Sequence, residues 1–181
     1  RCRYKKHNVQ VLDCEVLRLD YKHSVNEIIN FNPRIACFVV YGQQPSASSQ
    51  NMEGAIAVSK ILKKTKPEIK TLFVGGHVAA LPTETLEKEN SIDIIALNEG
   101  AYSISNLLEV ENLDDYTYLK KVKGIGFRDE EKKIILTDPE NIIPKNLLEK
   151  DLPGVAWDLL PNLSSYRTAG WHSWTNNSDK Q

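Results

Sequence analysis

A three-layer α/β fold on a mostly parallel sheet is what this sequence predicts, and three observations predict it. Short β-branched or aromatic runs alternate with longer stretches of helical periodicity, the pattern of successive βαβ units. The run Ile35-Ala36-Cys37-Phe38-Val39-Val40-Tyr41 is apolar almost throughout, as expected of a strand covered on both faces. Glycine-rich or polar turns follow three successive strand candidates, where a parallel sheet would open a crevice.

In chain order, Val9–Leu12 is the first strand candidate. Ser24 with Glu27 forms a capping box that predicts a helix from Val25, anchored by Ile28, Ile29 and Phe31 and stopped by Pro33. After the strand at 35–41, the polar stretch Gly42 to Gln50 reads as a long loop. A helix then starts near Gln50, with Met52, Ala55, Ile56, Val58, Ser59 and Leu62 on one stripe. Lys60, Lys63, Lys64 and Lys66 lie toward its negative end, where a solvated basic face is favourable. Thr71–Val74 is the next strand, Pro82–Lys88 a helix entered through proline, Ile92–Leu97 a strand, and Ala101 to about Glu109 a helix. Val122–Arg128 and Ile134–Leu136, joined by the charged turn 129–133, read as an antiparallel flap. Beyond Asn141, Pro144, Pro153 and Pro161 argue against long regular elements, and Thr175–Gln181 has the composition of a frayed tail. The expected organisation is an α/β domain over 1–110, a hairpin extension over 111–140, and a linker over 141–181.

The 181 residues are 41% hydrophobic, with 23 basic and 24 acidic side chains, the composition expected of one compact soluble domain. A net charge of -1 gives no basic field for a phosphate backbone, so nucleic acid is not an expected partner. No apolar run approaches the roughly 20 residues of a membrane span, and Arg1 to Lys6 do not resemble a signal peptide, so a cytoplasmic protein without membrane contact is expected. Cys2, Cys14 and Cys37 have no metal-ligand spacing and are expected to be reduced, mostly buried thiols. The only methionine is Met52, so the chain is expected to be a piece of a longer protein.

The candidate ligand residues follow the strands. They are Gly42, Gln43, Gln44, Pro45, Ser46 and Ser48 after the second candidate, Gly75, Gly76, His77 and Val78 after the third, and Asn98, Glu99 and Gly100 after the fourth. Each has a plainer alternative. A Gly-Gly pair can serve backbone conformation as well as ligand approach, the serines can cap a helix, and Glu99 can face solvent. His77 has no second metal-ligand residue at a useful spacing, no serine sits in a nucleophile motif, and neither GxxxxGK[ST] nor GxGxxG follows a strand. No catalytic or metal-binding residue is therefore assigned.

Asp13, the loop Tyr41-Gly42-Gln43-Gln44-Pro45-Ser46-Ala47, Gly75-Gly76-His77-Val78 with Leu81-Pro82, Asn98-Glu99-Gly100, Gly124-Ile125-Gly126-Phe127-Arg128 and Leu152-Pro153-Gly154-Val155-Ala156-Trp157-Asp158-Leu159-Leu160-Pro161 occur in that order. This succession, over roughly residues 8 to 166, resembles the cobalamin-binding N-terminal domain of class B radical SAM enzymes. That group includes the anaerobic magnesium-protoporphyrin ester cyclase and cobalamin-dependent methyltransferases. The resemblance implies a flavodoxin-like (Rossmann-like) fold whose first strand and helix are lacking here, since only Arg1 to Asn8 precede Val9. That strand would lie inside the sheet, and its loss would leave Val39 and its neighbours short of partners. The resemblance also implies that the nucleotide tail of cobalamin enters between the loops at 42–48, 75–78 and 98–100, hydrogen-bonded by Ser46 or Ser48. A radical SAM barrel in cis, using S-adenosylmethionine and a 4Fe-4S cluster, would complete the parent enzyme. The CxxxCxxC of such a barrel and the Asp-x-His-x-x-Gly axial-ligand motif are not found in this chain. A different reading is a flavodoxin-like or receiver-like regulatory domain that binds flavin or is phosphorylated at Asp13.

Overall fold

The computed structural model describes residues 1–3, 5–42 and 45–166, with the side chain of Pro45 left aside. Gln43, Gln44 and the expected tail at 175–181 lie outside the described residues.

Helix α1 spans Tyr21–Phe31. It starts one turn before the expected capping box because Asp20 takes the cap, its carboxylate accepting from His23 N at 2.8 Å. Ser24 is then an internal helical residue, almost fully buried, and its hydroxyl donates to the Asp20 carbonyl at 2.8 Å. Asn32, left-handed at φ 51°, ends the helix before Pro33.

Strand β1 (Ile35–Val39) pairs in parallel with β2 (Lys70–Val74), and β2 pairs in parallel with β3 (Ile94–Ala96). Helix α2 (Pro45–Thr65) crosses from β1 to β2, while α3 (Gly76–Ala80) and α4 (Pro82–Lys88) cross from β2 to β3. After β3 come α5 (Ala101–Leu108) and the single turn α6 (Tyr116–Leu119). Strands β4 (Ile125–Arg128) and β5 (Ile134–Leu136) complete a five-stranded sheet in the order β1-β2-β3-β4-β5, antiparallel from β3 outward. The hairpin therefore extends the main sheet, with Ile94 opposite Phe127, and does not stand off as a flap. Past it, among the described residues, come only short turns, the longest being α7 (Leu148–Asp151).

Both faces of the sheet are covered over β2 to β4, whereas β1 leaves Cys37 and Val39 exposed on one face, which corrects the expectation of a strand covered on both. On one face of the sheet, Phe73, Val78, Leu86, Ile92 and Ile95 pack with Met52 of α2, and Ala36 and Ile69 pack with Val25, Val58 and Leu62. On the other, Leu72, Ile94, Ile125 and Phe127 pack with Leu107, Leu113 and Leu119. Full burial of each such side chain contributes about 1.5–3 kcal/mol.

Two further expectations are corrected here. Val9–Leu12 forms no strand, and among the described residues none precedes α1. β-propensity without a neighbouring ladder leaves the backbone groups unpaired, and β1 stands at the edge of the sheet with Val39 68% exposed. The thiols are free but not mostly buried: Cys37 is exposed, and Cys2 and Cys14 are partly so.

Candidate functional site

Because β1, β2 and β3 run parallel, their carboxyl ends share one rim, and the candidate residues among the described ones follow those ends. Helix α2 opens at Pro45, ahead of the expected start near Gln50, since proline at the first turn has no N–H to satisfy. Ser46 and Ser48 consequently stand in the first helical turns, not in a loop. Ser46 is exposed, while Ser48 is turned inward. The Ser48 hydroxyl donates to the Val40 carbonyl at 2.6 Å and accepts from the backbone N–H of His77 at 3.1 Å, tying β1, α2 and α3 together. His77, half-buried, holds its Nδ1 2.9 Å from the Ser49 hydroxyl.

The glycines differ in what they are for. A Cβ at Gly75 would lie 2.0 Å from the Val40 carbonyl oxygen, so close approach of β1 to the β2–α3 turn requires glycine. Gly42, whose Cβ would meet Ala47 at 2.3 Å, and Gly100, at φ 78° with Ile104 2.9 Å from its Cβ position, are likewise demanded by the chain's own packing. Gly76 is not. A Cβ there would meet nothing nearer than Ser48 at 3.7 Å, an ordinary contact.

Val78 belongs to the core, with no exposed surface, so its place as a wall of the site is corrected. Asn98 folds its own turn, its Oδ1 accepting from Gly100 N at 2.8 Å. Glu99 is exposed. Desolvation pushes the Tyr41 phenol above its ordinary value, and the charge of Glu99 adds to this across the rim. Tyr41, Ser49 and Leu81 are not among the candidate site residues read from the sequence, yet Ser49 holds His77, and Tyr41 and Leu81 present 46% and 43% of their surface to solvent. The missed signal was Pro45, which moves the helix start and turns Ser49 toward α3. Asp13, the residue a receiver reading needs, follows no strand; its carboxylate accepts from Val16 N at 3.1 Å and from the Tyr166 hydroxyl at 3.0 Å.

No group of three or more His, Cys, Asp or Glu among the described residues could hold a metal. No helix among them is long and apolar enough to cross a membrane.

Compared with known proteins, residues 2–108 match the model of the family described as the B12 binding domain. An uncharacterized methyltransferase of Pyrococcus horikoshii is 25% identical over 166 residues, which are 92% of this chain and 33% of that protein. The chain thus spans about a third of the length of that curated relative. A solved structure of the cobalamin-dependent S-adenosylmethionine radical enzyme OxsB, with aqua-cobalamin and S-adenosylmethionine bound, aligns with 78% of this chain and 20% of its own, at 17% identity and a TM-score of 0.47.

Proposed function

This chain belongs to the B12-binding domain family, and on that premise we propose that it holds cobalamin at the carboxyl rim of its sheet. The observation that carries the placement is Gly76, a glycine at the end of a parallel strand for which the chain's own packing gives no reason. Space beside that backbone suits a ligand that runs close to it. The surrounding groups suit the cofactor's chemistry. Ser46 and His77 offer hydrogen bonds to amide and phosphate groups, and the exposed rings and methyls of Tyr41 and Leu81 offer apolar cover to a corrin. Bound cobalamin supplies cobalt-centred alkyl-transfer and redox chemistry, and this chain's residues bind and orient it.

The whole protein is proposed to be a cytoplasmic B12-dependent radical SAM enzyme of methyltransferase or cyclase type. Its S-adenosylmethionine and 4Fe-4S sites would lie in a barrel outside residues 1–181, and residues 141–166 would lead toward that barrel. The similarity to a methyltransferase three times as long, and the exposed Ile142, Val155 and Trp157 in that stretch, support this reading.

Titration of the chain with hydroxocobalamin, followed by calorimetry and the corrin absorption bands, tests the proposal. Saturable binding that Gly76→Leu removes is expected. A wild-type chain that produces neither heat nor a spectral change would overturn it.

A further inference from the structure

The rim loop that follows β3 is held by segments much later in the chain. Leu97 N donates to the Gly124 carbonyl at 2.9 Å, and Gly124 N donates to the Asp138 carbonyl at 2.8 Å. Two residues on, Glu140 meets the loop and α5 directly: its carbonyl accepts from Asn98 Nδ2 at 3.3 Å and its carboxylate from Asn106 Nδ2 at 2.9 Å. Tyr102, in the first turn of α5, donates its hydroxyl to Asp151 Oδ2 at 2.5 Å. The Arg1 guanidinium lies 4.6 Å from the centroid of the same ring and donates to the Asp151 carbonyl at 3.1 Å. Local sequence does not require these contacts, since Asn98 already closes its turn through Gly100.

We propose that residues 138–151 form a brace that holds the Asn98–Tyr102 loop in its ligand-facing shape, with Glu140 and Asp151 as anchors and Tyr102 as a positioning residue. The functional part of this inference rests on the cofactor reading above. The bonds from the Tyr102 hydroxyl to the Asp151 carboxylate and from the Asn106 amide to the Glu140 carboxylate are charge-assisted, and such bonds are roughly twice as strong as neutral ones. A loop that is pre-shaped loses less freedom when a ligand arrives. By linkage, a ligand that favours the braced loop also tightens the brace, so the rim and the segment leading away from the domain report on each other.

The test is hydrogen exchange on the full chain, comparing wild type with Tyr102→Phe, which keeps the ring over Arg1 and removes only the hydroxyl, and with Asp151→Asn. Roughly threefold to tenfold faster exchange is expected in both 98–102 and 148–152, with β2 unchanged as the internal control. A matching loss of hydroxocobalamin affinity is expected in each variant, and slower exchange in 148–152 when wild type is loaded. The brace is overturned if 148–152 accelerates while 98–102 keeps its wild-type rate. Should wild type fail to bind hydroxocobalamin, the cofactor reading falls, and exchange without ligand still decides whether the brace shapes the loop.

Discussion

At the amino rim of the sheet a group of half-buried polar side chains pairs within the chain, whereas at the carboxyl rim Ser46 and Glu99 are left facing solvent. On the amino side, Lys63 Nζ lies 2.8 Å from Asp93 Oδ2 and also donates to the carbonyls of Pro67 and Ile69. The same carboxylate oxygen accepts from Thr71 N at 2.8 Å, and the Ser59 and Ser91 hydroxyls pair at 2.8 Å nearby. Arg128 reaches the carbonyls of Leu86 and Ile92, and desolvation pulls its guanidinium below the ordinary value while Asp93 opposes the shift. On the carboxyl side, Ser46 and Glu99 face solvent, and Gly76 has space beside it. Polar residues buried by folding must be satisfied within the chain; those kept for a ligand need not be. On the proposed cofactor reading, the contrast separates a rim that holds the fold from a rim left open for a ligand.

The contrast can be broken at its most rigid point first. Gly75→Ala, which sets a methyl against the Val40 carbonyl, should destabilise the chain by about 3 kcal/mol or more, read as a lowered urea midpoint. If it unfolds normally, the carboxyl rim is looser than its packing implies. Asp93→Ala should cost about 2–3 kcal/mol by leaving Lys63 and Thr71 N without their acceptor, in the same assay and with no direct effect on cobalamin affinity. Gly76→Ala should shift stability by less than about 1 kcal/mol. It should nonetheless weaken hydroxocobalamin binding by roughly tenfold, about 1.4 kcal/mol, which sharpens the separation of the two rims. The smallest effect is in acid. The hydrogen bond from Tyr102, with a lesser contribution from Arg1, holds the Asp151 carboxyl below its ordinary 3.8. Its contribution is therefore present above pH 3.8 and is lost as pH falls through the lower folded value. Since solvent screens the pair, the loss should appear in tyrosine side-chain NMR shifts near Tyr102 and not in the global unfolding midpoint.

Much of this was legible residue by residue. Pro82 at a first turn located α4, and Ala101 after a glycine turn located the start of α5, because both signals act through the local backbone alone. The capping of α1 was misassigned because Asp20 and Ser24 are both competent caps, and burial of Ser24 against the core chose between them. Val9–Leu12 has strand propensity, but a strand also needs a neighbour, which propensity does not report.

From its own patterning, the chain determined the alternation of elements, the parallel arrangement of its first three strands and the collection of glycine and polar residues at their ends. Those follow from periodicity and turn chemistry, which act over a few neighbours. Only the tertiary structure decided that Gly75 serves packing while Gly76 does not, that Ser48 and Val78 turn inward, and that the hairpin joins the sheet and residues 138–151 reach back to the rim. These depend on which atoms meet across tens of residues of separation, and that distance is where local chemistry stops specifying contact.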